Sequence, residues 1–205
     1  MQLREIHWEV TNKCNLRCKH CLPMSGSARP DELTTEEAMA ALDTFRDTGA
    51  SQVFFTGGEP FSRKDFPALL ERTAALGMRA SVITNATFIR NTTLELVKRL
   101  QVQLGVSLDG VNETTNDAIR GQGSFRQAVE ALKRCRDSGI STTLYVTVTA
   151  TNVEQLDALA RLARELGCNG VHFNEVTIAG RALHFSDELA LSEEQKRRLP
   201  ELASQ

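Results

Sequence analysis

The sequence predicts an α/β fold, an open six-stranded parallel (β/α)6 partial TIM barrel, and three observations carry that expectation. Between Ile6 and Val176, six short strand-like segments are each followed by a loop and then a helix-like segment, except that the last helix stands further off. Such alternation implies a parallel sheet with right-handed crossovers. Strand five sets Leu144, Val146 and Val148 on one face and Tyr145, Thr147 and Thr149 on the other, and strand one alternates likewise. A doubly wound sheet, covered on both faces, reads as nearly continuous apolar runs, so a polar inner face with helices outside fits better. Finally, 205 residues leave no room for the two further βα units of a closed barrel.

The elements follow in order. Ile6 to Thr11 is the first strand, with Ile6, Trp8 and Val10 on one side and His7, Glu9 and Thr11 on the other. A cysteine loop follows, then an irregular polar segment from Pro23 to Leu33. Thr34 and Glu37 form a capping box for a helix that presents Ala38, Leu42 and Phe45 and stops at Gly49. The second unit is Gln52 to Thr56, the loop Gly57-Gly58-Glu59-Pro60-Phe61, and a helix from Asp65 to Leu76 ended by Gly77. The third is Arg79 to Thr84, then Asn85-Ala86, then a helix from Thr92 to Arg99 boxed by Thr92 and Glu95. The fourth strand, Gln103 to Leu108, leads into a long polar loop from Asp109 to Gly123. A helix then opens at Ser124, boxed by Gln127, and buries Phe125, Val129 and Leu132. The fifth strand, Thr142 to Thr149, precedes a helix capped at Asn152 and ended by Gly167, and the sixth runs from Gly170 to Val176. An amphipathic helix from Ser192 to Leu199 comes last. The expected organisation is a barrel core over 1–185 and a C-terminal helical tail over 186–205.

Composition narrows the class. Hydrophobic content of 41% and charged content of 24% are those of an ordinary globular protein. A net charge of −2 gives no electrostatic footprint for nucleic acid or a membrane surface. No apolar run spans a bilayer, and Met1 to Glu5 lacks the apolar core of a signal peptide. Five cysteines, three of them clustered, suit a reducing compartment, so the expected location is cytoplasmic.

Sites in parallel α/β folds gather at the C-terminal ends of strands. Here those ends carry Cys14 to Cys21, Gly57-Gly58-Glu59, Asn85, and Ser107 with Asp109. Four segments thus converge on one rim, which is the physical case for a single active site. The cysteines are spaced C-x3-C-x2-C within Thr11-Asn12-Lys13-Cys14-Asn15-Leu16-Arg17-Cys18-Lys19-His20-Cys21. Thiolates are soft ligands for zinc or iron–sulfur clusters, and three of them leave one coordination position open. A zinc site would need His20 or His7 as its fourth ligand, and no second CxxC-like pair is present. Spacing alone therefore favours iron–sulfur over zinc and leaves both open. The Gly-Gly step after strand two lets backbone approach a ligand closely.

These motifs in this order resemble the radical S-adenosylmethionine superfamily: the three-cysteine loop after strand one, with His20 at a position usually aromatic, and Gly57-Gly58-Glu59-Pro60 after strand two. Ser107-Leu108-Asp109-Gly110 and Ile119-Arg120-Gly121-Gln122-Gly123-Ser124-Phe125 are similar to the subgroup that modifies peptides, proteins and haem precursors. The similarity runs from Glu5 to Ala182. It implies that Cys14, Cys18 and Cys21 hold three irons of a [4Fe–4S] cluster whose fourth iron is chelated by S-adenosylmethionine. It further implies that Gly57, Gly58 and Glu59 bind the methionine amine and that Ser107 and Asp109 lie near the ribose or carboxylate. Arg120 would pair with the carboxylate, a match in charge and shape. His20 would lie against the adenine, Asn85 would share the pocket, and Val176 to Gly180 would supply backbone contacts to adenine. The implied chemistry is reductive cleavage to a 5′-deoxyadenosyl radical that abstracts hydrogen from substrate.

His7, Glu9, Tyr145, Thr147, Asn174 and Glu175 are candidates to face that substrate. Cys135 continues the Phe125, Val129, Leu132 stripe as a core thiol, and Cys168 has no assigned role. A peptide or protein substrate is the first expectation, and a tetrapyrrole or other small precursor the second. The expected electron source is a reductant protein such as flavodoxin or ferredoxin. Many members of the subgroup carry a C-terminal extension with auxiliary clusters, which two scattered cysteines cannot build. The expectation is an excised core or a short member. Two other classes fit the cysteine loop taken alone: a non-catalytic electron carrier, with a cluster spectrum indifferent to S-adenosylmethionine, and a colourless zinc-binding interaction module.

Overall fold

Period-2 alternation puts every second strand residue against a helix layer. The computed structural model, which describes residues 4–202, arranges six parallel strands in sequence order. They are β1 (Glu5–Thr11), β2 (Gln52–Gly57), β3 (Arg79–Thr84), β4 (Gln103–Ser107), β5 (Thr142–Val148) and β6 (Gly170–Glu175). The helices are α1 (Thr35–Asp47), α2 (Phe66–Ala75), α3 (Asn91–Arg99), α4 (Glu113–Arg120), α5 (Ser124–Asp137), α6 (Leu156–Glu165), α7 (Ser186–Leu189) and α8 (Glu193–Leu202). Strands laid down strictly in order, with same-handed crossovers, place the connecting helices on one side of the sheet. Among the described residues β1 and β6 are edges, so the barrel is open, as the strand pattern predicted. The ends of the expected core and tail, residues 1–3 and 203–205, lie outside the described residues.

The core fills the space between the outer sheet face and the helices. Val53, Phe55, Val82, Leu104, Leu144 and Val146 meet Leu42, Phe66, Leu69, Val97, Leu132 and Leu159 in one buried cluster. Each such fully buried leucine or phenylalanine contributes roughly 1.5–3 kcal/mol. β5 alternates buried and half-buried along its whole length, with Tyr145 and Thr147 inward. The inner face carries two flat pairs, His7 on Phe54 (centroids 4.6 Å apart) and Tyr145 on His172 (5.0 Å). Gly105 makes room for the second, because a Cβ there would come within 2.6 Å of the Tyr145 ring. Cys135 is fully buried in the core, and Cys168 packs against its edge.

Several local expectations are corrected. The supposed loop from Asp109 to Gly123 contains α4, begun by Asn112, whose side chain accepts from Thr115 N at 3.0 Å. The helix is short and polar and its one large buried apolar residue is Ile119, so no apolar period announces it. The Ser124–Gln127 box does not form. Asp117 of α4 instead accepts from Gly123 N (2.5 Å), Phe125 N (2.9 Å) and Ser124 Oγ (3.0 Å) and caps α5 from outside. The buried stripe of α5 is Ala128, Ala131, Leu132 and Cys135, with Phe125 and Val129 only partly covered. α3 starts at Asn91, ahead of Thr92, and no side chain caps it. Asn152 is no cap either: it accepts from Thr149 N and donates to Asp109 O and Thr147 O, which stitches β5 to the end of β4. Beyond β6 come an unanticipated 3-10 turn (Gly180–Phe185) and α7, which bury Ala182 and Leu189. Among the described residues no helix is long and apolar enough to cross a membrane.

The Asp117 cap separates two readings of α5. Asp117→Ala should cost about 1–2 kcal/mol in denaturant unfolding, the scale of a lost helix cap. Gln127→Ala should stay within about 0.5 kcal/mol, as an exposed side chain without a role does.

Candidate active site at the strand ends

The cysteine loop is pinned from several sides. At the end of β1, Thr11 Oγ1 donates to Glu32 (2.8 Å), whose carboxylate also accepts from Asn12 N (2.7 Å) and Arg29 N (2.9 Å). Cys14 N donates to Gly26 O and Gly26 N to Asn12 O, closing the loop on itself. α4 holds it through Lys19 N to Ile119 O (2.8 Å). Arg181, in the turn after β6, donates to Cys18 O (2.9 Å) and Ser25 O (2.7 Å). In the Val176 to Gly180 region, expected to give backbone contacts to adenine, Gly180 packs so tightly that a Cβ would meet Leu22 O at 2.1 Å, so the segment also braces the loop.

Backbone and amide N–H groups point at the sulfurs. Leu16 N and Asn85 Nδ2 approach Cys14 Sγ at 3.4 and 3.7 Å, and Ser25 N approaches Cys21 Sγ at 3.3 Å. Such bonds favour thiolate and tune the potential of anything the sulfurs ligate. All three thiols are free. Burial pushes Cys18 up to about 11, against the pull of Arg120, and raises Cys14 as well. Thiols so placed give up their protons when a metal arrives.

A cavity of about 280 Å³ is lined by Cys14, Cys18, Cys21, His20, Gly57, Gly58, Asn85, Ser107 and Arg120. Tyr145, Thr147 and Asn174 reach it from β5 and β6. Two further wall residues, Thr56 and Thr84, went unremarked in the sequence, though their places at strand ends could have found them. Gly57 has φ +124, and a Cβ on Gly58 would lie 2.2 Å from Lys13 O. Only glycines let this loop close onto the cysteine loop, through Gly58 N to Thr11 O and Glu59 N to Lys13 O.

Two residues expected at the ligand turn their side chains into the protein. Glu59 is fully buried and absent from the cavity wall; it accepts from Thr84 Oγ1 (2.8 Å), Asn85 N (2.7 Å) and Phe61 N (3.1 Å). Burial pushes its carboxyl up to about 7 against those bonds. Asp109 is likewise fully buried and off the wall. Its Oδ1 accepts from Thr147 N (2.7 Å), while Oδ2 meets His20 Nε2 (2.8 Å) and Arg120 Nε (2.6 Å). The Arg120 contact lacks hydrogen-bond alignment, so its attraction is mainly charge on charge. Burial alone would raise the Asp109 carboxyl, but Arg120 and His20 together hold it well below the usual carboxylate range. An ionised carboxylate only accepts, so His20 Nε2 is the donor. Glu175 pairs in register with Val148, on the outer face; adjacent strand residues cannot both point inward, and Asn174 takes the inner place.

The donor set fits a cluster with one iron lacking a protein ligand, together with a ligand carrying a carboxylate. Arg120 faces the cavity, and its buried Nε lacks an aligned hydrogen-bond partner. A buried guanidinium at a cavity wall suits an anion.

The family description "Radical SAM superfamily" matches residues 8–163. Over 192 residues the chain is 36% identical to the Fe-coproporphyrin III synthase of Methanosarcina barkeri, a match covering 92% of this chain and 48% of that protein. Over 196 residues it is 36% identical to the mycofactocin maturase MftC of Mycolicibacterium smegmatis, covering 95% and 50%. The solved structure of Streptococcus suis SuiB bound to precursor peptide SuiA shares the fold, with a TM-score of 0.86 at 20% identity over 100% of this chain and 46% of that one. The chain thus spans about half the length of the curated relatives it matches.

Removing the Asp109 charge should expose its role. Asp109→Asn strands Arg120 in a buried site and should cost about 3–5 kcal/mol in unfolding experiments. A depressed carboxyl stabilises the fold above its unfolded pKa and loses that contribution as pH falls. Wild-type stability should therefore decline below roughly pH 4, and Asp109→Asn should lack that part of the decline.

Proposed function

The chain belongs to the radical S-adenosylmethionine superfamily, enzymes of a [4Fe–4S] cluster and S-adenosylmethionine, and we propose that its substrate is a peptide or protein. When bound, these groups supply one-electron cleavage of the sulfonium and a 5′-deoxyadenosyl radical that takes hydrogen from substrate. In this reading Cys14, Cys18 and Cys21 ligate the cluster. The observation that carries it is three free, partly buried thiols around one cavity, two of them receiving N–H bonds.

The chain's own residues do the positioning. Arg120 takes the methionine carboxylate, and the Gly57-Gly58 backbone with Asn85 and Thr84 borders the amine. Ser107 serves the ribose, and His20, its ring fixed by Asp109, lies beside the adenine. Glu59 and Asp109 act through these groups rather than on the ligand. Tyr145, Thr147 and Asn174 separate the cofactor space from the open interior, where substrate enters and water is displaced.

A peptide is favoured by the relationship to MftC, a maturase by name, and by the open interior between β1 and β6, whose free strand edges can pair with extended chain. A tetrapyrrole is the second reading. It is supported by the relationship to Fe-coproporphyrin III synthase and by the two flat pairs on the inner face, which suit a planar ligand. A flavodoxin- or ferredoxin-type protein supplies the electron in either case.

Anaerobic reconstitution should load about four irons per chain, and reductant with S-adenosylmethionine should release 5′-deoxyadenosine. Replacing Cys14, Cys18 or Cys21 by Ala should abolish both, whereas Cys135→Ala should leave both intact. Fe-coproporphyrin III offered to the enzyme should neither accelerate 5′-deoxyadenosine release nor show a shifted Soret band; acceleration would favour the tetrapyrrole reading.

A further inference from the structure

The cysteine loop borders a second hollow. Cys14 lines the inner cavity and also an outer hollow of about 490 Å³, so this one residue forms part of both walls. Phe61 and Phe88 supply the apolar part of the hollow, and Lys13, Lys64 and Arg90 stand around it. All three cations are exposed, and among the described residues none makes an ion pair. The neighbouring Arg63 is different: Asp65 neutralises it at 2.8 Å, and it donates to Val10 O and Leu33 O. Among the described residues no carboxylate lines the hollow. Three unbalanced positive charges are thus gathered on a chain whose formal net charge is −2.

We propose that this hollow is the docking surface for an acidic one-electron donor protein, which delivers its electron to the cluster at the Cys14 side. The proposal rests on the assignment of Cys14 as a cluster ligand. The donor is oxidised by one electron and the cluster reduced by one, with no bond made or broken. Charge complementarity steers the encounter, since clustered cations raise the on-rate of an acidic partner and salt removes that gain. The apolar patch seats the partner against the loop. The other cavity that Cys14 lines is left for S-adenosylmethionine and substrate, so reduction and substrate binding use different hollows.

The test follows reduction of the reconstituted protein's cluster by absorbance, with an acidic flavodoxin hydroquinone or with dithionite as the electron source, and flavodoxin binding by titration. Lys13→Glu, Lys64→Glu and Arg90→Glu combined should slow flavodoxin-driven reduction about tenfold or more at low salt and weaken binding in parallel. Dithionite rates should not change. Lys64→Glu alone, which leaves the cysteine loop untouched, should slow the flavodoxin rate about threefold. The wild-type rate should fall with salt and the triple variant's should not. An unchanged flavodoxin rate, or an equal loss on reversing the distant surface cations Lys98, Arg126 and Lys133, would overturn the proposal. If the wild-type protein loads no iron on reconstitution, the cluster assignment itself fails.

Discussion

A single buried charge governs how the strand ends assemble. Asp109 has no exposed surface, yet it stays ionised, so every element near it must supply a compensating group. β5 gives Thr147 N, α4 gives Arg120 and the cysteine loop gives His20, while Asn116 accepts from the Asp109 N–H and Asn152 donates to the Asp109 carbonyl. Three segments therefore meet at one carboxylate, and two asparagines hold its backbone. The result is a cavity wall whose two most useful groups, Arg120 and His20, are fixed before any ligand arrives.

Glu59 plays the corresponding part on the other side. It joins the end of β2 to the end of β3 through Thr84 and Asn85, while the glycines before it fold onto the cysteine loop. Preorganisation of this kind spares the ligand the cost of ordering its own site. The partial barrel adds the last element, a sheet whose end strands β1 and β6 are left unjoined among the described residues.

Much of this was legible in the sequence because it is periodic or local. Strict alternation in β5 distinguished one covered face from two, and the Thr34–Glu37 capping box formed as read. The three cysteines declared soft-ligand chemistry by spacing alone. What escaped had a common physical cause: contacts set by tertiary structure. α4 is too polar and short to show an apolar stripe, and Asp117 caps a helix to which it does not belong. The sequence also names a residue without its direction. Glu59 and Asp109 stand in ligand-binding motifs but turn into the protein, Glu175 stands beside an inward residue and so points outward, and Arg181 clamps the loop with no motif to mark it.

We propose that the three cysteines hold a cluster whose open iron faces the cavity where S-adenosylmethionine binds. Electron paramagnetic resonance of the reduced, reconstituted protein, recorded with and without S-adenosylmethionine, tests it most directly. The expected result is a [4Fe–4S] signal whose g-values shift when S-adenosylmethionine is added. A cluster signal that ignores S-adenosylmethionine, or a colourless protein that binds only zinc, would contradict it.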